Sequence, residues 1–333
     1  MFFIKLKSGF CMFNLLFLLI KLKTMKKIIF LLTCFAYLQI GYSQDYVDIV
    51  KFTVNNTSLG NIQEANQKNV NKNFETSVNN VNFELYYPNK LSEKLVLLTG
   101  LTAENTRLNL SEKADRTSIT MTRLNIGVKY QHSEKWSGTY LLLPKIASDF
   151  NSIGSNDFQI GAIAVLDYQY NDAYKVKFGL YSSTENYGTS LTPIIGLWHR
   201  SKNNKFYINA TLPIRMDANY SLTKNLSIGS DLMTSIKSYN LSEFKSNFYV
   251  QEESIRFALY TALGLMDNSL ILRGKVGLDT TDYGIYNANE KVGVQVLTFP
   301  LSDDKRNRGN AEFDSSLYVG FDAIYRFDLT KNK

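Results

Sequence analysis

The segment LYVGFDAIYRFDL (Leu317–Leu329) alternates strictly. Leu317, Val319, Phe321, Ala323, Tyr325, Phe327 and Leu329 fall on one face, and Tyr318, Gly320, Asp322, Ile324, Arg326 and Asp328 on the other. All three charges share a face and the opposite face is wholly apolar or aromatic, the period-two signature of a strand with one apolar side. Thr120–Gln131 repeats the pattern: Thr120, Thr122, Leu124, Ile126, Val128 and Tyr130 oppose Arg123, Asn125, Gly127, Lys129 and Gln131. In Ile214–Leu222, Ile214, Met216, Ala218, Tyr220 and Leu222 oppose Arg215, Asp217, Asn219 and Ser221. After Gln44 no apolar run is long enough for a membrane helix, and alternating segments recur between Asn, Asp, Ser, Gly and Lys.

Such alternation suits a soluble sandwich with its apolar face inward, or a membrane barrel with that face toward lipid. The spacing of the connections separates the two. Short links lie near Asn89–Glu93, Ser133–Lys135, Asn171–Ala173, Ser201–Asn204, Thr223–Lys224 and Asp267–Asn268. Longer ones lie near Leu59–Ser77, Leu108–Ser118, Ala147–Asn156, Glu185–Ser190, Tyr239–Gln251 and Tyr286–Glu312, and only the link at Leu212-Pro213 is short where a long one is due. Short turns at one rim and long loops at the other describe an outer-membrane barrel. The expected fold is all-β: a single antiparallel up-and-down transmembrane β-barrel of about 14 strands, or about 12 if Lys205–Leu222 is irregular. It opens near Tyr46–Val54 and closes near Phe313–Leu329. Aromatic residues beside the short turns (Tyr86, Tyr87, Tyr130, Trp136, Tyr168, Tyr170, Tyr174, Trp198, Phe206, Tyr220) suit an interfacial girdle, though strand propensity alone also enriches Tyr and Trp. The Asn-rich stretch Asn55–Asn82 reads as an exposed loop.

The start of the chain reads as an address. The sequence has 333 residues and a formal charge of +7, but Met1–Ser43 carries six lysines and no acid, leaving 31 basic against 30 acidic residues beyond it. That near-neutral remainder excludes a polyanion-binding protein and predicts no nucleic-acid partner. Met25-Lys26-Lys27, the apolar run Ile28–Ile40 and Gly41-Tyr42-Ser43 form a signal peptide cut after Ser43. The domain reading is 1–24 as an upstream extension from a start assigned too early, 25–43 as signal peptide, and 44–333 as the barrel. Neither leading apolar run reaches the roughly 18–20 residues of a membrane anchor. Both cysteines, Cys11 and Cys34, lie in this leader, so the mature chain has no thiol for a disulfide, a CxxC motif or a cysteine zinc site. The stretch ahead of the first strand is short, which argues against an N-terminal plug domain.

The stretch DYQYNDAYKVKFGLYSSTENYGTSLTPIIGLWHRSKNNKFYINATLP (Asp167–Pro213) contains the strand Lys175-Val176-Lys177-Phe178-Gly179-Leu180-Tyr181, then Pro193-Ile194-Ile195-Gly196, then Leu212-Pro213 before a tyrosine-rich hairpin. It resembles a Bacteroidota outer-membrane β-barrel family catalogued as domain of unknown function 6268. The resemblance implies an outer-membrane barrel and carries no catalytic residues to transfer. One departure is the end of the chain: many outer-membrane barrels end on an aromatic residue, whereas six residues follow Phe327 here.

No enzyme motif stands out. His132 lies in a turn beside Ser133 and Glu134, and His199 follows Trp198 at a strand end. Adjacency in a turn does not make a Ser–His–acid set, and no phosphate-cradling glycine run exists. The expectation is no enzyme, no cofactor and no metal. Gly127, Gly161, Gly179, Gly229 and Gly277 read as strand glycines that let the barrel bend or leave room in the lumen. By alternation the lumen-facing candidates are Glu84, Arg123, Lys129, Asp167, Lys175, Lys177, Arg215, Asp217, Asp231, Arg256, Arg273, Lys275, Asp279, Asp322, Arg326 and Asp328. The set reads as balanced in sign, which suits cross-lumen salt bridges or a weakly selective aqueous interior better than a charged selectivity ring. The run Asp303–Arg308 in the longest loop reads as a solvated tip or as an inward constriction. The expected function is passive passage of small solutes in the cell outer membrane, with a closed structural or surface-interaction barrel acting through its long loops as the alternative. The expected partners are outer-membrane lipid, the barrel-assembly machinery and small solutes, with the barrel a monomer by default.

Overall fold

The computed structural model describes residues 46–62, 74–110, 116–242 and 248–328. The upstream extension, the signal peptide, both cysteines and the tail Thr330–Lys333 lie outside the described residues. In chain order the strands are β1 (Tyr46–Ile62), β2 (Phe74–Lys90), β3 (Leu95–Leu108), β4 (Thr117–Gln131), β5 (Trp136–Ser148), β6 (Phe158–Asn171), β7 (Tyr174–Glu185), β8 (Gly188–Arg200), β9 (Phe206–Leu212), β10 (Arg215–Ser221), β11 (Leu226–Leu241), β12 (Phe248–Leu265), β13 (Leu270–Asp279), β14 (Asp282–Asn287), β15 (Gly293–Val296), β16 (Phe299–Pro300) and β17 (Ser316–Asp328). Three of the 17, β14 to β16, belong to the longest loop, which leaves a closed antiparallel up-and-down barrel of 14 strands. β17 pairs with β13 on one side and β1 on the other, from Thr57↔Tyr318 to Tyr46↔Asp328, and so closes the ring.

The alternation that decides the fold is visible in exposure. On β17, Leu317, Val319, Phe321, Tyr325 and Phe327 are exposed, whereas Tyr318, Asp322 and Ile324 are buried. On β12, Ile255, Phe257, Leu259, Leu263 and Leu265 face out and Arg256, Ala258, Tyr260 and Ala262 face in. A continuous apolar outer surface over a polar interior reverses the plan of a soluble sandwich. Trp136 packs on Tyr168 at the short-turn rim, ring centroids 4.9 Å apart. Two residues assigned to the girdle do otherwise: Trp198 is buried with Lys175 over its ring at 5.5 Å, and Tyr86 lines the interior cavity beside Glu84 and Arg123. Both sit at inward positions of their strands, where alternation outweighs height.

Two expected connections also differ. Asn55–Asn82 is mostly strand, because β1 runs to Ile62 and β2 starts at Phe74; Asn55 and Asn80 are buried inside the barrel. The link expected over Glu185–Ser190 is a tight turn at Asn186-Tyr187, with Glu185↔Gly188 still paired and Gly188 at φ 136°. Pro213-Ile214 is the equally short link between β9 and β10.

That short hairpin shapes the rest of the molecule. β9 and β10 have seven residues each, against thirteen in β8 and sixteen in β11. β9 reaches only Ile195 of β8, and β10 only Met233 of β11, so toward the long-loop rim both neighbours lose their partner. Beside β8 the gap is filled by β15, which pairs with it in parallel from Gly293↔Gly188 to Val296↔Leu191. Pro193 falls in this part of β8, where a residue without N–H interrupts no barrel ladder. β11 crosses the interior instead: it bridges β5 at Asn240↔Ser148, and the backbone N–H and hydroxyl of Ser238 each donate to Glu185 at 2.8 Å.

The outer end of the β11–β12 hairpin is therefore buried on both faces. Its inner face, with Tyr239, Leu241 and Val250, packs against Leu108, Ile119, Met121 and Ala147 of the opposite wall, joined by Tyr283 and Phe313 of the long loop. Its other face, with Ile236 and Tyr249, packs against Tyr187, Val292 and Tyr286. The hairpin fills the long-loop half of the barrel, while the loop from β13 to β17 takes its place in the wall.

Candidate functional site in the barrel interior

Three tiers of charge line the interior on the β1, β10–β13 and β17 side. Nearest the short-turn rim, Asp48 accepts from Arg326 at 2.6 and 3.2 Å, with the guanidinium 3.6 Å above the Tyr46 ring centre. Asp217 accepts from Arg273 at 3.1 Å, Tyr207 at 2.9 Å and Tyr260 at 2.6 Å. Above them Lys275 joins Asp322 at 3.1 Å to Asp231 at 3.4 Å, while Lys51 and Thr53 also meet Asp322. Higher still, Arg256 pairs with Asp279 at 3.0 Å, and Thr57 donates to the same carboxylate at 2.7 Å. Asp328 ends β17 opposite Tyr46, and its side chain lies outside the described residues.

The cross-lumen bridge is made by residues outside the sixteen candidates. Lys237 of β11 reaches Glu104 of β3 at 2.6 Å and Glu252 of β12 at 3.4 Å, and Asn80 donates to the other oxygen of Glu104 at 2.7 Å. Lys145 pairs with Glu185 at 2.5 Å, which also holds Ser183 and Ser238. Of these, Lys145 sits on a strand whose inward positions Leu141 and Leu143 are themselves apolar, so no alternation shows there. Asp48 was hidden differently: a register shift between Asp48 and Val50 turns Asp48 and Lys51 to the same side despite their odd spacing. Glu104, Lys237 and Glu252 do alternate, and reading β3, β11 and β12 by parity finds them.

The remaining candidates lie on the other side. Arg123 donates to Asn125 at 3.1 Å and Thr102 at 3.5 Å, Lys177 to Asn209 at 2.6 Å, and Lys175 lies over Trp198. Glu84 is buried and accepts from Asn82 at 3.1 Å; one oxygen of Asp167 is buried with no partner. Lys129 and Arg215 form no ion pair or hydrogen bond with any described residue. The sixteen candidates comprise nine bases and seven acids, and they are not spread evenly. The expected balance therefore fails locally, because the acids concentrate on one side of the ring. The run Asp303–Arg308 is a solvated tip and not a constriction, with Asp303, Asp304, Lys305 and Asn307 exposed and its two arginines tied down. Arg306 lies 4.0 Å over the Tyr286 ring and donates to Tyr249 and Gln251, and Arg308 binds Asp282, which straps the loop to β12 and β14.

Three of the spaces lined by described residues lie in the interior. One of about 310 Å³ at the short-turn rim is lined by Tyr46, Tyr207, Asn219, Arg273 and Arg326. A central one of about 220 Å³ is bounded by Glu84, Arg123, Arg215 and Asp231, with Lys237 and Glu252 at its upper end. A third of about 360 Å³ shares Arg123 and Arg215 and extends toward β5–β8. The histidines lie apart, His132 against the Tyr140 hydroxyl at 2.9 Å and His199 against the Ala173 carbonyl at 3.2 Å.

Residues 35–281 match the family model described as Domain of unknown function (DUF6268). The chain belongs to this family. The DUF6268 match takes in β1 to β13 and stops before β14. No curated protein matches the chain. Among solved structures, the DUF6268 barrel is similar to the COG4313 outer membrane channel from Pseudomonas putida F1, at 11% identity and a TM-score of 0.44 over 87% of this chain and 98% of that one. It is also similar to the Pseudomonas putida toluene transporter TodX (11%, TM-score 0.33, covering 84% and 90%) and to LpxR from Salmonella typhimurium (5%, TM-score 0.32, covering 83% and 99%).

Proposed function

We propose that the protein is an outer-membrane barrel that gives small solutes a gated passive passage, and that the outer end of the β11–β12 hairpin is its gate. The short-turn rim lies at the periplasm and the long loops at the cell surface, the arrangement of outer-membrane barrels in general. The resemblance to a Bacteroidota family agrees with a Gram-negative outer membrane reached through a cleaved signal peptide, with lipid and the assembly machinery as partners and a single chain as the unit.

The observation that carries this reading is how the hairpin end is held. Beyond Thr234, β11 has a ladder partner on one side only, apart from the single bridge at Asn240. On the free side it is fixed by side chains, chiefly Glu185 and Gln159 on Ser238 and Asp157 on Asn240. An edge fixed by side chains alone parts from its neighbours at lower cost than one laced into a sheet, which leaves the apolar packing on the two faces and the Lys237 bridge as the rest of the hold. Below it, charged and polar side chains line cavities at the centre and at the short-turn rim. A second reading, a permanently closed barrel working through its surface loops, is favoured by the apolar cluster at the hairpin's inner face, where Leu108, Ile119, Tyr239, Val250 and Tyr283 are fully buried.

Planar-bilayer conductance of refolded Gln44–Lys333 separates them, with a heat-modifiable gel shift as the test of folding. Ser238 and Gln251 face each other in register, so a two-residue Asn-Gly turn can join them in place of Tyr239–Val250. The gated passage predicts rare openings in the native chain and long stepwise openings in the shortened one. A folded but silent shortened barrel would leave the closed reading standing.

A further inference from the structure

The third cavity has a composition that neither the outer belt nor the salt-bridged interior explains. Leu141 and Leu143 of β5, Ile163 of β6 and Tyr181 of β7 line it from inward positions, where alternation calls for polar groups in a water-filled barrel. Facing this apolar wall are two guanidinium groups, Arg123 and Arg215. Neither has a carboxylate within ion-pair distance: Arg123 bonds only the neutral Asn125 and Thr102, and no described residue bonds Arg215. Asp217 is held by Arg273, and Glu84, the acid that acts most strongly on Arg215, accepts from the neutral Asn82 and stays beyond ion-pair distance of the guanidinium. Every interior base of β11–β13, by contrast, has its carboxylate. Two guanidinium groups with no carboxylate in direct contact, above an apolar wall, fit a ligand that brings its own anion.

The cavity also reaches the barrel wall at its weakest place. Pro213 and Ile214, the tip of the short β9–β10 hairpin, line it together with Leu297 of the long loop. Here β8 between Thr192 and Ile194 has no ladder partner on that side, because β15 stops at Leu191 and β9 starts at Ile195. The boundary between cavity and membrane is made of side chains and a loop, with no hydrogen-bonded sheet to break.

We propose that this cavity binds a monoanionic amphiphile, a carboxylate or sulfonate on an apolar body. The anion lies between Arg123 and Arg215, the body lies against Leu143 and Ile163, and access is from the membrane between Ile214 and Leu297. Guanidinium groups suit a planar carboxylate because they donate in pairs. The volume of about 360 Å³ falls within the roughly 300–1,000 Å³ of small-ligand sites. Mostly apolar lining with a few placed polar groups is the common plan of such sites. The inference names a solute class for the passage proposed above and rests on that reading for its biological sense, but the binding itself is measured without conduction.

The test uses the barrel refolded into phosphatidylcholine nanodiscs, free of detergent, with 11-(dansylamino)undecanoate as the fluorescent probe and empty discs as the background. Saturable binding of one probe per barrel is expected, displaced by decanoate and at least about tenfold less well by decan-1-ol, the difference one charge-assisted hydrogen bond makes. Acetate, an anion without a tail, is expected not to compete. Arg215→Gln is expected to raise the Kd at least about tenfold on the same ground; since no bond to Arg215 is lost, the variant keeps its heat-modifiable shift. Arg123→Gln gives the second arm, with Thr102 and Asn125 left to satisfy each other at 3.2 Å. Fluorescence no greater than that of empty discs overturns the site. So does an unchanged Kd in both folded variants, or equal displacement by decanoate and decan-1-ol, which would make it an apolar cleft without anion recognition. A barrel that binds the probe but never conducts removes the passage and keeps the site, whereas one that conducts without binding does the reverse.

Discussion

Lys237 is the side chain on which the closed state turns. Nearly buried, it sits between Glu104 and Glu252, themselves buried. Replacing it with Met leaves two carboxylates without their cation, and stripping one partner from a buried pair costs about 3–5 kcal/mol. Lys237→Met is therefore expected to lower unfolding stability by that order in vesicles, followed by Trp136 and Trp198 fluorescence in urea. Lys51→Met should cost much less, because Asp322 keeps Lys275 and Thr53. A cost for Lys51→Met as large as for Lys237→Met would contradict the assignment of the cross-lumen bridge. Asp304, in the long loop, behaves differently with pH. Hydrogen bonds from Arg306, at 2.8 to 3.2 Å, hold its carboxyl below the usual carboxylate range. A lowered folded value means its contribution is complete above the unfolded value near 3.9 and is lost as pH falls through the folded one. Amide-exchange protection across Arg306–Gly309 is accordingly expected to hold from pH 7 to 5 and to drop below about 4.

At the scale of elements, strand length decides more than strand identity. Had β9 and β10 matched their neighbours, β11 would have a partner along its whole length and no reason to cross the interior. The contact that covers the resulting gap depends on Gly188. Its φ of 136° suits glycine, and a Cβ there would run into the carbonyl and Cα of Gly293. Gly188→Ala is expected to part β15 from β8 while the barrel stays folded, read as faster trypsin cleavage at Lys291 and Lys305 with the heat-modifiable shift intact. Within β13 two glycines make an internal comparison. A Cβ on Gly277 would meet the Phe257 carbonyl and, at 2.7 Å, the Ala258 Cα, whereas one on Gly274 meets nothing within 4 Å. Gly277→Ala should cost about 1–3 kcal/mol as an overpacked site, and Gly274→Ala close to nothing, by the same urea measurement.

The molecule as a whole is a barrel turned inside out relative to soluble β proteins. Leu259 faces out at the middle height of β12, opposite Val276 and, one strand further, Val319. If that belt lies in lipid, Leu259→Arg costs about 2–4 kcal/mol in a bilayer. A neutral effect there would argue against a membrane location. The same belt in a soluble protein would be an aggregation hazard on every side.

Period-two patterning in Leu317–Leu329, Thr120–Gln131 and Ile214–Leu222 was enough to give strands and to sort their residues into two faces, because that depends only on residues two apart along the chain, and the alternation of short and long connections added which face is outward and a count of about 14. The inward side of Trp198 followed from parity too, once the girdle was set aside. What the sequence did not show is everything that depends on distance across the ring. Lys237 meets Glu104 from the far wall, Arg123 and Arg215 share a cavity with no carboxylate in ion-pair contact, and Leu141 and Leu143 face inward where local patterning hides them. Whether a buried charge is matched, and whether a barrel is hollow or filled, depends on which strands end early and what bends into the space they leave. Only the folded ring brings those residues together.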